Sequence, residues 1–163
     1  MNSQKLKLGL DYHGVINQKP EYFAAFCRLA TERGHRIYII TGGPAVKVKQ
    51  YLAAADISYD FLFAVADYYQ ALGQVEQRPD GGFEVAEYLW NMAKAEFCRR
   101  CRVNLHIDDS IEYLHWFSTP FCLYDRRTAA GYISPGLCLD FTKPPAETLD
   151  DIERIAAGLT CFV

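Results

Sequence analysis

Apolar runs alternate along the chain with segments of helical periodicity, and each run ends in polar residues or glycine. The first run, "KLKLGLDY" (residues 5–12), predicts a strand that leads into a turn, and "PEYFAAFCRLATERGH" (20–35) has aromatic and aliphatic residues at helical spacing. "HRIYIITGG" (35–43) and "PAVKVKQYLAAA" (44–55) repeat this order, with Pro44 at the first helical position. The first third of the chain therefore predicts two successive strand-helix units.

The same pattern continues through the rest of the chain. Three further strands are predicted, at residues 59–69, 102–110 and 119–125. Two further helices are predicted at 85–101 and 146–159, a hairpin at 75–85, and an irregular segment rich in Gly and Pro at 126–145. Strands that alternate with helices are typical of a parallel sheet covered on both faces. We therefore expect one α/β domain over residues 1–163, with a three-layer, Rossmann-like parallel sheet.

Composition narrows the class of protein without naming a function. The 163 residues are half hydrophobic and carry a formal net charge of -3, with no basic stripe, so there is no positive indication of nucleic-acid binding. No stretch approaches the ~20 consecutive apolar residues of a membrane span. The start of the chain lacks the long apolar region of a signal peptide, and the six cysteines fit a reduced compartment better than a disulfide framework. We expect a cytoplasmic protein.

Polar residues collect where the predicted strands end. Parallel α/β sheets bind ligands beyond the carboxyl ends of their strands. Those ends hold Asp11 and His13, Thr41 and Gly42, Asp67, and Asp108 with Asp109. Three of the carboxylates, on two strands, would repel one another unless a cation lay between them, and a set of oxygen ligands suits Mg²⁺ better than zinc. A hydroxyl and open backbone at Thr41 and Gly42 could face an anion, so the edge predicts a phosphate site beside a metal site.

Four short motifs in order resemble those of the haloacid dehalogenase-like (HAD) hydrolase superfamily. They are "LDYHGV" (10–15), "IITGG" (39–43), a helical lysine and "HIDDS" (106–110), and together they extend over about residues 6–125. The resemblance implies a HAD-like sheet, with Asp11 as a nucleophile that forms an aspartyl-phosphate.

The resemblance also assigns roles to the other motif residues. It implies that Thr41, Gly42 and Lys94 bind the phosphoryl group, and that Lys94 also keeps the nucleophile ionised. Lys47 and Lys49, which follow Thr41 closely, are alternatives for this lysine. The order in the superfamily places it before the fourth motif, and Lys94 lies one helix before "HIDDS". Mg²⁺ would be held by Asp11, the backbone carbonyl of His13, and Asp108 or Asp109 or both.

His13 departs from the pattern of the phosphatases in this superfamily, which carry an acid two residues after the nucleophile. An imidazole can donate and accept a proton near neutral pH, so His13 is a candidate general acid and base. The sequence thus predicts a Mg²⁺-dependent phosphatase or phosphotransferase. The alternatives are a noncatalytic phosphate-binding or regulatory protein, and other chemistry such as dehalogenation or phosphonate cleavage.

The spacing of the motifs leaves little room for a cap over the site. One helix and one strand fill the interval between Asp11 and Thr41, so the surplus is limited to a small flap or hairpin at about 67–85. We expect no large cap domain and a rather open site. The partner would be a phosphorylated substrate, either a small molecule or a macromolecule, and an oligomer is compatible with the sequence.

Overall fold

The computed structural model describes residues 4–159 as a mixed sheet with helices on both faces. The strands are β1 (Lys7–Leu10), β2 (Arg36–Thr41), β3 (Phe61–Ala64), β4 (Glu76–Gln77), β5 (Phe83–Glu84), β6 (Leu105–Asp108), β7 (Phe121–Asp125), β8 (Ala130–Ile133) and β9 (Leu137–Asp140). The helices are α1 (Pro20–Glu32), α2 (Ala45–Ala54), α3 (Val65–Ala71), α4 (Glu87–Cys101) and α5 (Pro145–Leu159). Short 3-10 helices lie at Ile16–Gln18 and Ile111–Trp116.

The main sheet has the strand order β3-β2-β1-β6-β7-β8-β9. The first five strands in this order pair in parallel, whereas β8 and β9 add an antiparallel extension after β7. The prediction of a Rossmann-like α/β fold is confirmed. In this order the chain reverses direction across the sheet between β1 and β6, which is the position where open α/β sheets form a ligand crevice.

Alternate residues of the central strands bury opposite faces of the sheet. On β2, Ile37 and Ile39 pack in a core with α1 and α2, whereas Tyr38 and Ile40 pack in a second core with α3 and α4. Buried residues of α5 join the first core. The two cores lie between the sheet and the helices on its two faces. This gives the three layers that the alternation of elements predicts, and it holds the central strands in place.

The third predicted strand is shorter than expected. Residues 59–69 contain β3 only at Phe61–Ala64, and the chain then continues directly as α3. Apolar and aromatic residues in "FLFAVADYY" fit a buried strand and a buried helix equally well, so periodicity did not separate them. The expectation that Asp67 ends a strand was therefore wrong, because Asp67 lies in the first turn of α3.

The segment at 126–145 is not irregular. It contains β8 and β9, an antiparallel hairpin whose connection runs through Pro135 and Gly136. Residues alternate between buried and less buried positions along β8, which is the pattern of an edge region with one covered face. Turn residues every few positions hid these two short strands from sequence reasoning.

The predicted hairpin is present as the two-stranded β4–β5 ribbon. Together with α3 it fills the interval between β3 and α4, so the described chain holds no larger insertion there. None of the helices between residues 4 and 159 has both the length and the apolar character that crossing a bilayer requires.

Candidate functional site

Asp11 lies at the carboxyl end of β1, in the middle of the sheet. Its backbone N–H donates to the carbonyl of Ile107 on β6 at 2.9 Å, and its side chain is buried. The N–H of Tyr12 donates to Asp11 Oδ1 at 2.7 Å, which fixes the orientation of the carboxylate. The other carboxylate oxygen, Oδ2, faces side chains of β6 and α4.

Lys94 connects the two central strands through their carboxylates. Its Nζ lies 3.0 Å from Asp11 Oδ2 and 2.7 Å from Asp108 Oδ2, and the lysine side chain is only 3% exposed. Burial disfavours the charged amine, but the charges of Asp11 and Asp108 outweigh it and raise the pKa of Lys94. The lysine is therefore a permanent cation within the site.

Asp108 is the most constrained of the carboxylates. His106 Nε2 lies 3.1 Å from Asp108 Oδ2, and the N–H of Ser110 donates to Oδ1 at 3.0 Å. Burial opposes ionisation, but the hydrogen bond from His106 and the charge of Lys94 outweigh it and hold the pKa of Asp108 below its ordinary value. Asp108 is thus a fixed anion.

His106 is held in turn by its surroundings on β6. Its ring stacks on Phe117 with centroids 5.1 Å apart, and a Cβ on Gly9 of the neighbouring strand would come within 2.7 Å of His106 Nδ1. Burial lowers the pKa of His106, so the neutral ring donates its Nε2–H to Asp108. His106 thus positions the carboxylate of Asp108 from the same strand.

Asp11, Asp108 and Asp109 form a set of oxygen donors for a metal ion. One carboxylate oxygen from each lies within 4.8 Å of the others. Burial, with Asp108 as a further cause, raises the pKa of Asp11 to about 7 despite the charge of Lys94, and burial also raises the pKa of Asp109. Both shifts disfavour the charged form of these carboxylates, and a nearby cation would oppose them. Three oxygen donors this close together fit a hard divalent cation such as Mg²⁺.

His13 follows Asp11 on the exposed side of the turn. Its Nδ1 lies 3.4 Å from the hydroxyl of Thr41, which is buried at the end of β2. Burial and the charge of Lys94 lower the pKa of His13, against the opposing charge of Asp109, so the neutral imidazole is the favoured form at pH 7. Because of its contact with Thr41, the His13 ring lies beside the predicted phosphate site.

The predicted phosphate loop after β2 depends on its two glycines. A Cβ at Gly42 would meet the ring of Trp90 at 2.8 Å, and Gly43 has a φ of +107°. The first N–H of α2, at Ala45, is already bonded to Asp67 Oδ2 at 2.9 Å. The carboxylate of Asp67 thus caps α2, and the helix start is partly satisfied without an external anion.

Tyr113 covers the amine of Lys94 and is itself held by Trp90, an arrangement that sequence reasoning missed. The Nζ of Lys94 lies 4.8 Å from the ring centroid of Tyr113, and Trp90 Nε1 donates to the Tyr113 hydroxyl at 3.1 Å. The same Trp90 borders a cleft of about 640 Å³ between Gly42 and the β5 hairpin strand. Helical spacing would have put Trp90 one turn before Lys94, but nothing in the sequence indicated that Tyr113 would meet it.

The structure brings most of the sequence-predicted residues together and separates two alternatives. The residues at the strand ends are Asp11, His13, Thr41, Gly42, Asp108 and Asp109, with Lys94 reaching them from α4. Lys47 and Lys49 are exposed on α2. Among the three candidate lysines, Lys94 is the one in contact with Asp11.

Comparisons with known proteins add little to this geometry. No family model and no curated protein matches the chain. Among solved structures, the chain is similar to the crystal structure of a glycosyltransferase from Rickettsia africae ESF-5, with 13% sequence identity and a TM-score of 0.41. The match covers 75% of this chain and 31% of the glycosyltransferase chain.

Proposed function

We propose that this chain is a Mg²⁺-dependent phosphatase or phosphotransferase that forms an aspartyl-phosphate on Asp11. One observation carries the proposal: buried Lys94 contacts Asp11 at 3.0 Å and Asp108 at 2.7 Å, within a cluster of three carboxylates. A nucleophilic carboxylate must be ionised in spite of its burial. The charge of Lys94 lowers the pKa of Asp11 against the effect of burial, and a bound metal cation would lower it further. The order of the four motifs, which resembles that of the HAD superfamily, supports the same assignment.

The metal would be held by oxygens of Asp11, Asp108 and Asp109, with the backbone carbonyl of His13 as a further ligand. Among the described residues, the carbonyls of Asp11, Tyr12 and Val15 accept hydrogen bonds within the turn, and that of His13 accepts none. Bound Mg²⁺ supplies positive charge that offsets the phosphoryl oxygens and favours an in-line arrangement.

The reaction would proceed in two displacements. The Asp11 carboxylate forms a bond to phosphorus while the bond from phosphorus to the leaving oxygen breaks, and His13 gives that oxygen a proton. Water, or an acceptor hydroxyl in the case of a phosphotransferase, then attacks the phosphorus. The bond to Asp11 breaks, and His13 takes the proton from the attacking oxygen. Thr41, Gly42 and Lys94 bind phosphoryl oxygens in both steps.

A second candidate, a noncatalytic phosphate-binding or regulatory protein, is favoured by a property of His13. The lowered pKa of this imidazole leaves it mostly neutral at pH 7, which weakens it as a proton donor to a leaving oxygen. The residue at this position would then contribute to binding alone.

Hydrolysis of a panel of phosphate esters tests the proposal. We expect phosphate release from an aryl phosphate or an alkyl phosphate only with Mg²⁺, and a fall in kcat on the order of 10³-fold or more in Asp11→Asn. Asp56→Asn, the same change at an exposed residue outside the site, should retain activity. A negative result across the panel, with Mg²⁺ still bound in a calorimetric titration, would favour the noncatalytic protein.

A further inference from the structure

The turn after β7 brings two arginines to the carboxyl edge of the sheet. β7 lies next to β6, so the turn at Asp125–Ala129 is adjacent to the metal-ligand candidates at the end of β6. The turn is fixed by its own hydrogen bonds, since Arg127 N–H donates to Asp125 Oδ1 at 2.8 Å and Ala129 N–H donates to the Asp125 carbonyl at 2.8 Å. Arg126 and Arg127 therefore project from a defined position.

Both arginines line a cleft of about 770 Å³ that also includes Asp109. Arg126 Nε lies 3.2 Å from Asp109 Oδ2, although the arginine side chain is 59% exposed. The guanidinium of Arg127 has no ion pair or hydrogen bond with any residue that the structure describes. Most of the N–H donors of this pair are thus available to a ligand next to the metal-ligand candidates.

The cleft also has exposed apolar surface in its lining. Ile111 is 61% exposed and Tyr132 is 50% exposed, and both line the same cleft. These side chains offer a surface for the carbon skeleton of a ligand, while the arginines offer donors for an anionic group. The cleft volume lies within the ~300–1,000 Å³ that is usual for small-molecule sites.

A second anionic group on a substrate would need the positive charge of Arg126 and Arg127. The amine of Lys94 is shared between Asp11 and Asp108, and three carboxylates would repel a second negative group of a substrate. Guanidinium groups bind phosphate or carboxylate through paired N–H donors. A chain with a net charge of -3 and two such groups at this cleft suits a small anion rather than a polyanion.

We propose that Arg126 and Arg127 form a second anion subsite beside the phosphoryl site, and that the preferred substrate is a small molecule with a second phosphate or carboxylate. This inference rests on the proposed function, because it takes the reacting phosphate to lie at Asp11. The second anion lies in the cleft, and the carbon chain that joins the two groups lies against Ile111 and Tyr132.

Matched pairs of alkyl phosphates test the subsite without turnover. Calorimetry on Mg²⁺-saturated Asp11→Asn protein would compare 1,3-propanediol bisphosphate with propyl phosphate, and 1,6-hexanediol bisphosphate with hexyl phosphate. We expect at least one bisphosphate to bind about tenfold or more tightly than its monophosphate. The double variant Arg126→Ala, Arg127→Ala should reduce this ratio to within about twofold.

Arg28→Ala is the matched control, because it removes an exposed guanidinium on α1 away from the cleft. It should preserve the ratio, and all the arginine variants should keep the far-ultraviolet circular dichroism of the parent. The subsite would be overturned if each bisphosphate bound no more tightly than its monophosphate at both chain lengths. It would also be overturned if the affinity ratio survived in the double variant. Arginine-dependent binding of a 5′-phosphorylated oligonucleotide that strengthens with its length would overturn the assignment to a small molecule.

The two proposals fail in different ways. Arginine-dependent binding of a bisphosphate by a protein that hydrolyses none of these esters would support the subsite and contradict the catalytic role of Asp11. Hydrolysis that depends on Mg²⁺ and Asp11, with no binding preference for a second anion, would support the catalytic role and contradict the subsite.

Discussion

Lys94 has two roles in the proposed site, as the partner of buried carboxylates and as a ligand for a phosphoryl group. Its buried amine pairs with Asp11 and Asp108 at 3.0 and 2.7 Å, and it occupies the position from which a cation could also contact a phosphoryl group. A buried ion pair contributes little relative to apolar packing, but removal of one partner leaves an uncompensated charge. The stability of the metal-free protein should therefore depend on this side chain.

Replacement of Lys94 by methionine tests this dependence. We expect Lys94→Met to lower the free energy of unfolding by about 3–5 kcal/mol, since Asp108 loses its cationic partner within the core. Saturating Mg²⁺ should recover part of the loss, because a bound cation would offset the same carboxylates. Urea denaturation with and without Mg²⁺ measures both effects. Lys49→Met, on the exposed face of α2, should change stability little, and an equal loss in the two variants would contradict the argument.

His13 is the residue on which the proposed turnover depends most. An aryl leaving group departs with little need for a proton, whereas an alkoxide requires one. We therefore expect His13→Ala to lower kcat/KM for an alkyl phosphate at least about tenfold more than for an aryl phosphate. Steady-state kinetics on the two substrates give the comparison, and equal losses would exclude proton transfer by His13.

The candidate residues at strand ends were accessible from sequence because a strand end is a local property. Apolar runs that stop at Asp11, Thr41 and Asp108 place their side chains at one edge as soon as the sheet is parallel. The contact of Trp90 with Tyr113 was not accessible in this way. It depends on how α4 packs against the 3-10 helix after β6, and no local pattern encodes that distance.

The turn after β1 supports the metal-ligand candidates by its shape. Gly14 has a φ of +78°, and a Cβ there would collide with the carboxylate of Asp109. The N–H of Gly14 is fixed by Asn17 Oδ1 at 2.8 Å. This turn and the end of β6 are therefore in direct contact, and the turn leaves no room for a larger residue.

Two glycine variants separate backbone strain from this contact. Gly136 has nearly the same φ, +75°, with nothing near the position of a Cβ. Alanine at either glycine should cost about 1–2 kcal/mol of stability, because both backbones are left-handed. Gly14→Ala should also weaken Mg²⁺ binding about tenfold or more by displacing Asp109, whereas Gly136→Ala should not. Calorimetric titration with Mg²⁺ decides, and equal affinities would contradict a role for the Gly14 contact.

At the scale of elements, the sequence predicted the βα order well and the ends of the sheet poorly. β1, β2 and β6 were found because each is a compact apolar run beside a clear helix, and β7 was found as a compact apolar run alone. Periodicity could not distinguish α3 from a continued strand, and in the structure the N–H of Ala66 donates to the Gly42 carbonyl at 2.9 Å, a long-range contact. Tertiary contacts thus determine whether such a segment is a helix or a strand when the local pattern fits both.

At the scale of the whole molecule, the crevice between β1 and β6 joins the two halves of the chain. Each half of the chain supplies part of the carboxylate cluster, so a bound cation would join the halves. A ligand that binds only the folded chain stabilises it in proportion to the logarithm of its concentration over Kd. Metal binding should therefore be visible as global stability, independently of activity.

Thermal unfolding at increasing Mg²⁺ concentration measures that coupling. At about 100 times Kd the gain is about 2.7 kcal/mol, which corresponds to a rise of roughly 5–10 °C in Tm for a chain of this size. Asp108→Asn should abolish the rise, and Asp56→Asn, at an exposed position, should retain it. A sodium salt at equal ionic strength controls for screening. An unchanged Tm in the unsubstituted protein would exclude a magnesium site of useful affinity.

The pairing of β1 with β6 also constrains the order of events in folding. Lys7 N–H donates to Asn104 Oδ1 across a separation of 97 residues, so the central strands meet only when a long loop of chain closes. The β7–β8–β9 meander has short connections and can form early, but it holds none of the three clustered carboxylates. During synthesis, Asp11 would leave the ribosome long before Asp108 and Asp109. A nascent chain would therefore acquire its affinity for a metal late, when the two central strands join.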